Sequence, residues 1–207
     1  TLSSERRCKE GLLREYCDYT KFLESPPDFH IWVLLTILSS ALGRKCYINL
    51  GYFRVYANLY TVLIGKSATA KKSTALGIGF NLLQAAVLDT PVFSQKITTE
   101  SFIHFLSGLT TKIGKAEGLI FASEFAEFLG RGNVDPTLIQ ILTSYYDCPA
   151  KREYSTISRG IEKLESVYLV MLAASTPEWL QTSLPQDAIG GGFFSRLLIV
   201  HRADPGI

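Results

Sequence analysis

The ten residues from Gly65 to Thr74 read Gly-Lys-Ser-Ala-Thr-Ala-Lys-Lys-Ser-Thr. They follow a continuous apolar run, Leu59 to Ile64, and precede a helical pattern reaching about Leu88. The run reads as a fully buried strand. A polyphosphate needs backbone N–H groups turned inward, a helix N-terminus behind them, a flexible cation and a hydroxyl for Mg²⁺. This segment supplies each part. Gly65 would open the loop, Lys72 would reach the terminal phosphates, Ser73 would hold the metal ion, and Thr74 would touch the innermost phosphate.

The spacing departs from the usual G-x-x-x-x-G-K-[ST]. Counted from Gly65, the second glycine falls on Ala70, the lysine on Lys71 and the hydroxyl on Lys72. A shift of one residue makes Lys72-Ser73 the lysine and hydroxyl, with Lys71 where glycine belongs. Only the shifted register supplies a lysine followed by a hydroxyl, and it is preferred. A solvated basic turn is the plain alternative.

Three further segments carry chemistry. The apolar run Gly118–Ala122 ends in Ser123-Glu124. A carboxylate at a strand tip can take a proton from an attacking water, which assigns Glu124 that role. Ser123 would bond a water on the metal ion, and Glu127 is the weaker substitute for Glu124. A second strand, Val167–Ala174, ends in Ser175-Thr176-Pro177-Glu178. Ser175 or Thr176 could help hold the water, although Thr176-Pro177 also suits a helix cap. Finally, Gly190-Gly191-Gly192-Phe193-Phe194-Ser195-Arg196 leads into the apolar run Leu197–Val200. Arg196 stands just before that run, a position similar to the one where ring ATPases place an arginine finger aimed at a neighbouring subunit's nucleotide, and that likeness makes it a candidate for neutralising charge on the phosphoryl group there. An internal salt bridge is its alternative.

These residues need a scaffold that presents strand ends side by side. Helical periodicity marks Ser4–Glu24, Phe29–Gly43 and Pro136–Tyr146, with a further helix capped by Thr98 or Thr99. A β-hairpin is expected within Lys45–Tyr60, turning near Leu50-Gly51. Pro91–Ile97 completes the strands. Buried strands alternating with helices argue for an α/β chain with a mostly parallel sheet covered on both faces. Lys151–Lys163 reads as a second hairpin turning at Arg159-Gly160. Its Lys151, Arg152, Arg159 and Lys163 could meet nucleic-acid phosphates and Tyr154 could stack on a base. Glu153 and Glu162 dilute that patch.

Composition narrows the classes. In 207 residues, 47% are hydrophobic and 19% charged, which excludes a disordered chain, and the net charge of +2 excludes a strongly basic coat. Cys8, Cys17, Cys46 and Cys148 form no C-x-x-C pair, and His30, His104 and His201 are scattered. Neither a zinc constellation nor a disulfide framework is expected, and a reduced, cytoplasmic compartment fits. The longest apolar stretch, Ile31–Leu42, falls short of the roughly 20 residues that span a bilayer, so no membrane role is expected. The chain begins at Thr1 and could be a piece of a longer protein.

The order of these motifs carries a resemblance. A lysine-serine loop, a strand ending in Glu124, a strand ending in Ser175-Thr176-Pro177-Glu178 and then Gly-Phe-Phe-Ser-Arg before a strand resemble the additional-strand P-loop ATPases of AAA+ and superfamily-three type. More narrowly, the chain looks like the helicase-like ATPase domains of phage, plasmid and integrated-element replication proteins. The segment Phe29-His30-Ile31-Trp32 through Ala57-Asn58-Leu59-Tyr60 is similar to their region preceding the loop. The resemblance covers about Pro27 to Arg202. It implies a P-loop NTPase three-layer sandwich of about five mostly parallel strands in the order 5-1-4-3-2, with residues 1–58 as helices and a hairpin packed on an ATPase core of 59–207. It further implies ATP and Mg²⁺ as ligands, a homo-oligomeric ring, often hexameric, and single-stranded DNA as partner. The activity implied is that of a replication helicase or primase-helicase motor. An ATP-dependent loader acting on a protein, or a nucleotide-binding scaffold of slow turnover, are the alternatives. Lysine for the second loop glycine and Ser123 for aspartate depart from the family pattern.

Overall fold

The computed structural model describes residues 11–66, 70–130, 132, 134–156, 160–183 and 191–201. Helix α1 (Leu12–Thr20) and helix α2 (Pro27–Leu42) come first, then strands β1 (Tyr47–Asn49) and β2 (Arg54–Tyr56). Strand β3 (Tyr60–Ile64) leads to α3 (Lys72–Ala86), and β4 (Val92–Phe93) to α4 (Thr99–Ile113). Strand β5 (Glu117–Ala122) is followed by α5 (Phe125–Leu129) and α6 (Pro136–Tyr146). The hairpin β6 (Lys151–Thr156) and β7 (Gly160–Glu165) precedes β8 (Tyr168–Ser175), α7 (Pro177–Ser183) and β9 (Leu197–His201).

Five strands form one sheet in the order β4-β5-β8-β3-β9, and every pairing is parallel. Numbered along the chain within this sheet, that is 5-1-4-3-2, the order expected above. Alternation along the strands sends side chains to two cores. Tyr60, Val62, Ile120, Leu169 and Met171 meet α4, α5 and α6 on one face. Leu63, Leu119, Tyr168, Val170 and Leu172 meet α1, α2 and α3 on the other. A parallel sheet buried on both faces requires such near-continuous apolar strands, and β8 is buried at all eight positions.

Helix α2 runs against the strand direction. A side chain on Gly65, just past the end of β3, would stand 3.9 Å from Phe29 near the start of α2. Near the other end, the Ser39 carbonyl accepts the hydroxyl of Tyr168, the first residue of β8, at 2.8 Å. Buried Thr36 and Thr61 bond each other at 2.7 Å between these points. The start of α2 therefore lies at the C-terminal edge of the sheet, and the β1–β2 hairpin after it leaves from the N-terminal edge.

Three expected extents are corrected. The strand expected over Pro91–Ile97 is only Val92–Phe93. It is an edge strand, and the exposed polar run Ser94-Gln95-Lys96 has no core to cover. Within the described residues the first helix is Leu12–Thr20, and residues 21–24 form turns rather than continuing it to Glu24. The hairpin β1–β2 occupies a smaller part of Lys45–Tyr60, pairing Tyr47 with Tyr56, Ile48 with Val55 and Asn49 with Arg54.

Candidate functional site

The C-terminal ends of β3, β5 and β8 lie side by side, where α/β sheets open their ligand crevices. There a cleft of about 520 Å³ is lined by Lys71, Lys72, Ser73, Thr74, Ser123, Glu124, Ala126, Ala174, Ser175, Thr176 and Trp179. Residues scattered over more than 100 positions of sequence thus share one site, and its size suits a nucleotide-scale ligand.

Gly65 follows β3 directly and donates its N–H to the Ser175 carbonyl at 3.4 Å, which ties the loop to β8. A Cβ on Gly65 would stand 2.5 Å from that of Ala70, so the close approach across the loop requires glycine. Loop residues 67–69 lie outside the described residues. Helix α3 then begins at Lys72 and runs 15 residues, with its N-terminus at the cleft. The unpaired N–H groups of its first turn favour an anion there.

Lys71 adopts φ 45°, ψ 35°, the left-handed conformation that favours glycine. This is the position where the shifted register puts a lysine in place of the second glycine. The Lys71 ammonium turns outward to Glu24 at 3.1 Å. The Lys72 ammonium turns back over the loop and donates to the carbonyls of Gly65 and Lys66. Burial pushes the Lys72 ammonium below its ordinary value, and the nearby Glu178 carboxylate opposes the shift.

Ser123 and Glu124 leave the end of β5, and Glu124 is the residue just before α5 without capping that helix through its side chain. Glu127 does not line the cleft. Ser175 is buried at the tip of β8, paired in register with Ile64. The Thr176 hydroxyl accepts the Trp179 N–H at 3.4 Å, so it caps α7 while lining the cleft.

Two groups were missed from sequence. Trp179 lines the cleft and sets its ring edge-on to Phe125, 5.8 Å between centroids. Glu178 acts on the charge of Lys72. Both stand within three residues of the Thr176 cap, and only the turn of α7 toward α3 could reveal them.

Arg196 is at the opposite edge of the sheet. Its neighbour Leu197 pairs with Tyr60 at the start of β3, about 13 Å of strand away from Ile64. Its guanidinium bonds Asp147 at 3.3 Å and the Gly192 carbonyl at 2.9 Å, and lies over the Tyr146 ring. Arg196 therefore has an internal salt bridge and is remote from the cleft of its own chain.

The hairpin β6–β7 splits its candidate residues between two faces. Lys151 and Lys163 share one face with the glutamates opposite them in register, Glu165 and Glu153. Lys151 bonds Glu165 at 3.7 Å. Arg152 and Tyr154 share the other face with buried Leu164 and Glu162, and Tyr154 packs against the core. Arg159 lies outside the described residues.

Among the described residues, no helix is long and apolar enough to cross a membrane. No protein-family model matches the chain, and no curated protein matches its sequence.

Proposed function

We propose that the chain is a P-loop-type ATPase domain that binds ATP with Mg²⁺ and hydrolyses it. The observation that carries this reading is the convergence of Lys72, Ser73, Thr74, Ser123, Glu124 and Ser175 on one cleft at the N-terminus of α3. A polyphosphate fits there because the cleft offers an ammonium, a helix N-terminus and several hydroxyls beside one carboxylate. Ser73 would hold the metal ion, with Ser123 bonding a water on it. When bound, the ion would neutralise charge on the β- and γ-phosphates.

Lys72 would leave the loop carbonyls for the phosphate oxygens. Glu124 would accept the proton of a water as its oxygen attacks the γ-phosphorus and ADP departs. Ser175 would orient that water from the β8 tip. Arg196, remote from its own cleft, would act on the nucleotide of an adjacent subunit in a ring. In this reading the motor acts on single-stranded DNA as a replication helicase of a mobile element. That part rests on the motif order, since the lysines of β6–β7 face glutamates.

The test is phosphate release from ATP by the chain, with and without single-stranded DNA. Release abolished by Lys72→Ala supports the reading. Nucleotide retained without phosphate release would reduce it to a binding scaffold, and no binding at all would overturn it.

A further inference from the structure

We propose that the β1–β2 hairpin of one copy docks on the α1 face of a second copy, joining the chains head to tail. Ile48, Leu50, Tyr52, Phe53 and Val55 are all exposed on the hairpin, Tyr52 completely. So much contiguous apolar surface on one exposed two-stranded element marks an interaction site. The hairpin is held rigidly at its base. Arg44 donates to the carbonyls of Cys148 and Val167 and to the Tyr56 hydroxyl, each at 2.7 Å. At the tip, the Leu50 N–H donates to the Phe53 carbonyl at 3.0 Å. Its shape is therefore organised before it meets a partner, which lowers the entropic cost of docking.

The partner surface is on the same chain. Leu12, Tyr19, Phe22 and Leu23 are exposed along α1 and the turn after it. The stretch Gly11–Asp28 holds Glu15, Asp18, Glu24 and Asp28 against Arg14 and Lys21. The stretch Gly43–Asn58 holds Arg44, Lys45 and Arg54 and no carboxylate. Arg44 turns inward, so Lys45 and Arg54 remain beside the hairpin patch. Asp18 pairs with Lys21 and Glu24 with Lys71, so Glu15 and Asp28 against Arg14 leave the α1 patch weakly acidic beside the basic hairpin.

The two cannot meet within one chain. The Glu24–Lys71 pair, at 3.1 Å, places the turn after α1 beside the rim of the cleft. The hairpin leaves the opposite edge, beyond the 16 residues of α2, about 24 Å of helix. A contact between unlike patches on opposite edges is heterologous, and it propagates into a ring or a filament. It would also set the Arg196 edge of one copy toward the cleft edge of the next.

The experiment is a mass measurement by light scattering after gel filtration, on the full chain without nucleotide, so it is independent of the ATPase reading. A hairpin variant, Ile48→Ser with Phe53→Ser, and an α1 variant, Tyr19→Ser with Phe22→Ser, change only exposed positions. Circular dichroism melts verify folding. The unaltered chain should associate, and each variant alone should be monomeric at tenfold higher concentration. An equimolar mixture should form a dimer and stop there, because the α1 patch of the first meets the hairpin of the second. Three results would overturn the proposal: a monomeric unaltered chain, a mixture that stays monomeric, or unchanged mass in the hairpin variant. Loss of fluorescent oligo(dT) binding in that variant with its mass unchanged would assign the hairpin to nucleic acid instead.

Discussion

Lys71 and Lys72 are consecutive, yet their ammonium groups leave in opposite directions, one to Glu24 at 3.1 Å and the other onto the loop carbonyls of Gly65 and Lys66. The backbone causes this. Lys71 is left-handed at φ 45°, and Lys72 is the first residue of α3.

Nucleotide binding should therefore depend on the second lysine. Lys72→Ala is expected to weaken ATP affinity by about a hundredfold, the loss of charge-assisted bonds worth roughly 3 kcal/mol. Lys71→Gly should change it little. Titration with a fluorescent ATP analogue checks this, and the opposite order would reverse the assigned register.

The same position predicts a stability order. Glycine tolerates φ 45° and a β-branched residue does not. Lys71→Gly is expected to exceed Lys71→Val in stability by about 1–2 kcal/mol. Urea denaturation of the two variants measures the difference, and equal midpoints with equal slopes would refute it.

Glu124→Gln should retain ATP affinity and slow phosphate release by about a hundredfold or more, the usual loss when a general base is removed. Glu127→Gln, outside the cleft, should act near the unaltered rate. If the two variants behave alike, Glu124 is not the base.

Arg44→Met should destabilise the chain by about 2–4 kcal/mol, because buried carbonyls lose their donors. Val167 and Cys148, whose carbonyls Arg44 serves, are both buried. The urea midpoint reports the loss, and hydrogen exchange should quicken at the Tyr47–Tyr56 strand pair.

Stability should fall in alkali. Burial raises the Cys148 thiol to about 12, and burial raises the Tyr16, Tyr145 and Tyr168 hydroxyls to about 12. In the unfolded chain these groups lose protons near their ordinary values of 9.0 and 10.0. Between about pH 9 and 12 the folded state then holds more protons than the unfolded one, so stability declines as pH rises. Thermal melts from pH 8 to 11 check the direction. At pH 8, iodoacetamide should modify exposed Cys46 and spare Cys148 until the chain unfolds.

The five sheet strands were legible in the sequence, and so was the burial of the three central ones, because a strand covered on both faces must be nearly continuous in apolar residues, as Leu59–Ile64 (Thr61 apart) and Tyr168–Ala174 are. The cleft residues were legible for a related reason. Polar groups that follow such strands directly are carried to one edge when the strands pair in parallel. The reach of β4 was not legible, since Pro91–Ile97 contains strand-forming residues and only its place at the sheet edge cuts it to Val92–Phe93. Nor was the division of labour at Lys71 and Lys72, which depends on one left-handed backbone turn. Arg196 could be placed before a strand from its neighbours alone, but its bond to Asp147 joins residues 49 apart and exists only because α6 ends beside β9. Likewise, Lys151 and Lys163 read as a basic hairpin until pairing set each opposite a glutamate. Local spacing determines which element a residue joins, whereas charge balance and exposure are decided by neighbours that only the folded chain brings together.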